Sequence, residues 1–284
     1  MPSFPIVDSH VHLWDPSLMR MTWIEGNPTL DRAYLPTDYR AHTADLDIAA
    51  YVYLQVEVEP VYALIEARWA AGQAGVDPRL SAVVAYAPLG DGAPARTYLD
   101  DLVKITPLLR GVRQVTQGFP DVEYVARPRF VEAARSLSDY GLSCDICVKH
   151  PQLQAVVRLV EACPDVAFVL DHIGKPDIAD GLIEPWATQV RRLAASPNVC
   201  CKISGMVTEA DHQHWTPGDL RPYVETVLEA FGEDRVMFGG DWPVVLEAAT
   251  YRRWIDTLDA LTTGLSPSAK RKLWSDNARR FYRL

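Results

Sequence analysis

Short, almost wholly apolar runs alternate with helix-forming segments along nearly the whole chain, and this alternation constrains the fold more than any other feature. The runs are Phe4 to Val7, Ile48 to Glu57, Leu80 to Leu89, Leu109 to Val115, Leu142 to Val148, Val166 to Leu170, Val199 to Ser204 and Val236 to Gly240. Between and after them lie helical stretches at Val61 to Ala74, Ala95 to Ile105, Pro128 to Tyr140, Gln152 to Ala162, Pro185 to Ala194, Asp219 to Phe231 and Glu247 to Leu261. Strands that are apolar on both faces belong to a parallel sheet covered by helices. Eight such units in about 250 residues predict a closed (β/α)8 TIM barrel, α/β in class. No linker interrupts them, so residues 1–284 are expected to form one domain, with Pro267 to Leu284 as a terminal helix pair packed on the barrel.

One segment departs from the pattern. Leu13 to about Asp45 carries Trp14, Trp23, Pro16, Pro28 and Pro36, too polar and too broken by proline for a continuous helix. Tryptophans argue against disorder, and long ordered loops are usually functional. The segment reads as a structured loop over a pocket, ending in a short helix near Thr37 to Asp45.

Composition excludes several classes of function. The 284 residues carry 28 Lys+Arg against 37 Asp+Glu, hence 28 − 37 = −9, with no basic run that would bind nucleic acid. Hydrophobic residues at 48% and charged residues at 23% are ordinary globular values, which argues against a membrane protein. The opening Met1-Pro2-Ser3-Phe4 lacks a basic region and an apolar core of a signal peptide, and five cysteines are an odd number. A cytoplasmic location is expected. Cys144 and Cys147 form a Cys-x-x-Cys, but an odd separation on a strand sends the thiols to opposite faces, so both are expected to be buried core residues.

Active sites of parallel barrels sit at the carboxyl ends of the strands. Here polar residues gather where the apolar runs stop. The first run leads into Asp8-Ser9-His10-Val11-His12, whose alternate residues Asp8, His10 and His12 would project to one side, two imidazoles converging as metal ligands can. The second ends in Gln55-Val56-Glu57, and the fourth carries Arg113, a charge that inside an apolar run requires a partner or a substrate. The fifth offers Asp145 with Lys149 and His150 beyond it, and the sixth Asp171-His172, of which parity lets only one face inward. The eighth ends in Gly239-Gly240-Asp241-Trp242-Pro243, with Asp241 either in the chemistry or capping a helix.

Taken together, Asp8-Ser9-His10-Val11-His12, Asp171-His172-Ile173-Gly174-Lys175-Pro176 and Phe238-Gly239-Gly240-Asp241-Trp242-Pro243 resemble the amidohydrolase superfamily, in particular the amidohydrolase-2 subgroup with sugar-acid lactonases and 2-pyrone-4,6-dicarboxylate lactonase. The similarity spans Ile6 to Tyr282 and includes Asn277-Ala278 near the end. Two-metal members of the superfamily carry a lysine on strand four or an equivalent; this chain has Arg113, so the resemblance implies at most one ion, a zinc held by His10, His12 and Asp241 and dispensable in some relatives. Mononuclear members place a histidine at the end of strand five, where this chain has Asp145.

The resemblance implies hydrolysis of a sugar-acid lactone such as L-fuconolactone or a galactono- or rhamnonolactone, by attack of an activated water on the carbonyl. Asp241 would be the general base, kept ionised by an ion or a protonated imidazole; Arg113, His172 or Lys149 would steady the oxyanion, and His172 or His150 would protonate the departing ring oxygen. Trp14, Trp23 and Trp242 would offer flat apolar faces to the sugar, and Gln55 and Glu57 partners for its hydroxyls. A dianionic pyrone would need more cations than Arg113 and Lys149 provide, so a small neutral lactone is the expected partner. The competing readings are a decarboxylase or pyrone lactonase of the same superfamily, a His-x-His phosphoesterase, and a sugar-binding barrel without catalysis.

Overall fold

A computed structural model describes residues 4–284. Eight parallel strands, β1 (Ile6–Val11), β2 (Ile48–Leu54), β3 (Leu80–Tyr86), β4 (Leu109–Val115), β5 (Ser143–Cys147), β6 (Phe168–Leu170), β7 (Val199–Ile203) and β8 (Val236–Phe238), pair in sequence order. The barrel closes where β8 ends: the Asp241 N–H donates to the His10 carbonyl at 2.8 Å and the His12 N–H to the Trp242 carbonyl at 2.7 Å. The helices α2 (Ala63–Gly72), α3 (Ala95–Leu102), α4 (Pro128–Ser136), α5 (Leu153–Ala162), α6 (Trp186–Ala194), α7 (Pro217–Phe231) and α8 (Tyr251–Leu261) follow the second to eighth strands, and α1 (Pro36–His42) follows the long first loop. Prolines open α1, α4 and α7, where a missing N–H costs nothing. No helix among the described residues is long and apolar enough to cross a membrane.

Alternation assigns the two faces of each strand. Val7, Ala50, Val52, Leu54, Ala82, Val84, Val169 and Met237 fill the barrel interior, while Tyr51 and Tyr53 of β2 belong to the larger core between strands and helices. The terminal segment is α9 (Pro267–Arg271), a π turn at Lys272–Asp276 and α10 (Asn277–Tyr282). Tyr282 packs with the interior residues, and its hydroxyl donates to Asp145 at 2.6 Å, so α10 plugs one end of the barrel.

In β1 the regular alternation fails. The register slips between Asp8 and Val11, and Asp8 does not share the side of His10 and His12. Its buried carboxylate accepts from the hydroxyls of Tyr39 on α1 (3.0 Å) and Tyr251 on α8 (2.7 Å) and from the Gly240 N–H (2.7 Å). Asp8 therefore ties two helices to the closing seam. Gly240 is required there, since a Cβ would lie 2.4 Å from the Asp8 carboxylate.

Candidate active site

His10, Arg113, Asp145, Asp171 and Lys202 meet inside the barrel as one buried ionic layer. Lys202, fully buried on β7, stands 2.7 Å from Asp145 and 2.9 Å from Asp171 through Nζ, and 3.3 Å from His10 Nδ1. Arg113 donates to Asp171 at 3.0 Å and to the Gln55 carbonyl at 2.5 Å. Burial pushes both carboxyls up; Lys202 and Arg113 outweigh it at Asp171, which is held below the usual carboxylate range, whereas Asp145 stays raised. Removing one partner from such a buried pair costs roughly 3–5 kcal/mol, because the other charge is left alone.

Above this layer lies a cleft of about 90 Å³ that opens to solvent. His12, His172, Asp241 and Arg113 line its floor; Glu57, Lys175, Cys147 and Gln117 line its walls together with Val56 and Val115; Trp23 and Val244 complete the rim. The Asp241 carboxylate lies 3.5 Å from His12 Nε2, 3.7 Å from His10 Nε2 and 3.9 Å from His172 Nδ1. Glu57, His172, Lys175 and Asp241 all hold positive φ, between 46° and 53°. Left-handed backbone at non-glycine residues costs on the order of 1–3 kcal/mol each, and four such residues line this one cleft. The same turn lets both Asp171 and His172 reach the interior, although strand parity would admit only one.

Burial lowers the pKa of His10 and His172 well below the ordinary imidazole value, so both are neutral at neutral pH. Burial also opposes ionisation of Asp241, but His172, His12 and Lys175 outweigh it and hold the carboxyl below its usual range. Lys175 adds a permanent positive charge to this set. Its ammonium is 2.9 Å from Glu209. Glu57 stands at the exposed edge of the cleft, within the field of Arg113 and Lys175.

His10 Nε2, His12 Nε2 and Asp241 form one group able to hold a divalent ion; His10, Asp171 and His172 form a second. In the first, the His10 to His12 separation of 3.1 Å and the two carboxylate separations of 3.5 and 3.7 Å bracket the edge of a tetrahedral zinc site, about 3.3 Å for bonds near 2.0 Å. His12 Nδ1 faces the Leu54 carbonyl at 2.9 Å, which fixes its proton there and turns the Nε2 lone pair toward the group. The second group is filled from within: Lys202 and Arg113 stand against the two Asp171 oxygens. The donors thus fit one ion, not two.

Several expectations need correction. His150 is absent from the cleft; its Nε2 bonds Asp177 at 2.8 Å. Lys149 is exposed, because it follows the last inward residue of β5 and starts a turn. Trp14 is buried under the loop, donating to the Arg32 carbonyl and packed edge-on to Trp23. Trp242 is buried among Tyr34, Tyr39 and His42. Gln55 is buried too, accepting from the Glu57 N–H at 2.6 Å rather than lining the cleft. Of the three tryptophans only Trp23 reaches the cleft, its indole N–H anchored on the Val56 carbonyl at 2.7 Å. Cys147 is buried as expected but faces the cleft, its thiol pushed up to about 12 by burial and so not a nucleophile at neutral pH. Lys175, Lys202 and Gln117 were missed.

The family described as Amidohydrolase matches residues 7–284. The chain is 33% identical to an L-fucono-1,5-lactonase of Burkholderia multivorans, over 98% of this chain and 96% of that one. It is 30% identical to an L-fucono-1,5-lactonase of Burkholderia ambifaria, over 98% and 95%. A crystal structure of an amidohydrolase from Burkholderia multivorans with bound zinc superposes with a TM-score of 0.89 at 31% identity, over 99% of this chain and all of that one. The chain belongs to the amidohydrolase family.

Proposed function

We propose that the protein opens a neutral sugar-acid lactone, a six-carbon aldonolactone of the L-fuconolactone type, by attack of water on the lactone carbonyl. The observation that carries this reading is the Asp241 carboxylate, ionised and buried, set among His10, His12 and His172 at the floor of a cleft whose walls are polar. A fixed carboxylate among neutral imidazoles is placed to take a proton from water. The lactonase names of the two Burkholderia relatives support the substrate class.

In this scheme Asp241 accepts the proton of the attacking water. The carbonyl oxygen, as it gains charge, meets Lys175 and Arg113, the two cations of the cleft; one such preorganised donor is worth roughly 3 kcal/mol. His172 is oriented by Ser204, whose Oγ lies 2.9 Å from its Nδ1; as a neutral imidazole it donates a hydrogen bond to the departing ring oxygen, and the proton that this oxygen takes is the one Asp241 removed from water. Should an ion be bound, His10, His12 and Asp241 would hold a single zinc, which polarises a carbonyl and lowers the pKa of water. Trp23 covers the apolar side of the sugar, while Glu57 and Gln117 meet hydroxyls.

Charge argues against a dicarboxylate. Arg113 is already paired with Asp171 and Lys175 with Glu209, and Glu57 and Asp241 add two carboxyls to the same walls. Two substrate carboxylates would have to compete with Asp171 and Glu209 for the same two cations that the developing oxyanion needs. The test is Asp241→Asn assayed on aldonolactones: turnover should fall by at least ~10²-fold with folding intact, and an unaltered rate would remove the base from the scheme.

A further inference from the structure

The two nitrogens of His10 each face a choice of partner. Nδ1 lies 3.3 Å from the Lys202 ammonium, which can only donate, and 3.4 Å from the Asp171 carboxylate, which can only accept. Nε2 lies 3.1 Å from His12 Nε2 and 3.3 Å from Arg113 Nη1. His12 carries its proton on Nδ1, where it donates to the Leu54 carbonyl at 2.9 Å, so its Nε2 presents a lone pair. A neutral His10 protonated on Nδ1 would bring two lone pairs together at 3.1 Å. Shifting the His12 proton to relieve that contact would set its bare Nδ1 against the Leu54 oxygen at 2.9 Å. Protonated on Nε2, His10 donates to His12 at 3.1 Å and accepts from Lys202 at 3.3 Å, so its shortest contact pairs a donor with an acceptor. This arrangement opposes two contacts longer than that to His12, Arg113 at 3.3 Å from Nε2 and Asp171 at 3.4 Å from Nδ1; the guanidinium already has Asp171 and the Gln55 carbonyl as acceptors, and the carboxylate has Lys202 and Arg113 as donors.

We infer that Lys202 is a positioning residue that fixes the tautomer of His10: without a bound ion, a hydrogen-bonded relay runs from Lys202 through His10 and His12 to the Leu54 carbonyl, with the His10 proton on Nε2. An ion held by the two Nε2 atoms needs the other tautomer, in which the proton moves to Nδ1 and Asp171 takes over from Lys202 as its partner. No net proton is gained or lost by the ring. The buried Lys202–Asp171 pair is thereby a two-position selector between a relay and a ligand set, built from groups 2.9 Å apart. Neither state depends on which substrate the cleft takes.

The tautomer is read directly from two-bond ¹H–¹⁵N correlations of the histidine rings in uniformly ¹⁵N-labelled full-length protein, with His10 assigned by its absence in His10→Gln. In chelator-treated protein His10 should show Nε2 protonated; after addition of one equivalent of zinc it should show Nδ1 protonated. In chelator-treated Lys202→Met the preference should shift toward the Nδ1 form by about tenfold, the scale of one hydrogen bond to a charged group. Finding Nδ1 protonated in the chelator-treated wild-type protein overturns the inference, whether or not the Lys202 variant folds. An unchanged tautomer in a folded Lys202→Met protein overturns the role given to Lys202.

Discussion

The backbone N–H of Asp241 donates to the carbonyl of His10 across the closing seam of the barrel, at 2.8 Å. The same two residues bring their side chains to 3.7 Å of each other above it. The bond that completes the sheet is therefore also the bond that sets the distance between carboxylate and imidazole. Gly239 makes the approach possible, since a Cβ there would lie 2.9 Å from the Cβ atoms of His10 and Ser204.

Pairs of residues near each other in sequence should behave differently. Lys175→Met and His172→Ala are predicted to lower kcat/KM for an aldonolactone by ~10²-fold, the scale of a lost preorganised hydrogen-bond donor to the oxyanion or the leaving oxygen. Lys149→Met and His150→Ala should leave it unchanged, because Lys149 is exposed and His150 is engaged with Asp177 outside the cleft. Steady-state kinetics of the four variants decides; a large loss in either control would relocate the site.

Gly205, at φ +58°, lies under the His172 ring, and an added Cβ would meet Nδ1 at 2.4 Å. Gly205→Ala should cost roughly 1–2 kcal/mol for the left-handed backbone. It should also move His172 off Ser204, lowering kcat by about tenfold or more. Thermal unfolding and kinetics measured together check both; a stable variant with wild-type kcat would show that the position of His172 does not matter.

Glu66 on α2 is buried behind β2, accepting from the Val56 N–H at 2.6 Å and the Tyr53 hydroxyl at 2.9 Å, and burial raises its pKa from 4.5 to about 7. A raised folded-state pKa gives stability that is fully present below pH 4.5 and lost as the pH rises through 7. Glu66→Gln removes the titration. The melting temperature of the variant relative to wild type should therefore climb between pH 4.5 and 7, and a difference that stays flat over that range would mean the group titrates normally.

Much of this could be read from the residues alone. Eight apolar runs announced the barrel, and strand ends announced His10, His12, Glu57, Arg113, His172 and Asp241 as neighbours. Lys202 was legible by the argument applied to Arg113, a cation on an apolar strand in need of a buried partner, had it been applied to Val199 to Ser204. Lys175 was not, because its place depends on left-handed turns at His172, Ile173 and Lys175 that no alternation rule anticipates. Trp14 and Trp242 failed for a related reason: a tryptophan beside a cleft and one packed beneath its loop look alike in sequence.

Substrate charge tests the account most directly. Initial rates should be measured at neutral pH on six-carbon aldonolactones and on 2-pyrone-4,6-dicarboxylate in parallel, using as-purified and chelator-treated protein. The account predicts hydrolysis of at least one aldonolactone at a kcat/KM well above that of the pyrone. Faster turnover of the pyrone than of every aldonolactone would contradict it, because two carboxylates would then be held by a cleft whose cations, Arg113 and Lys175, are already paired.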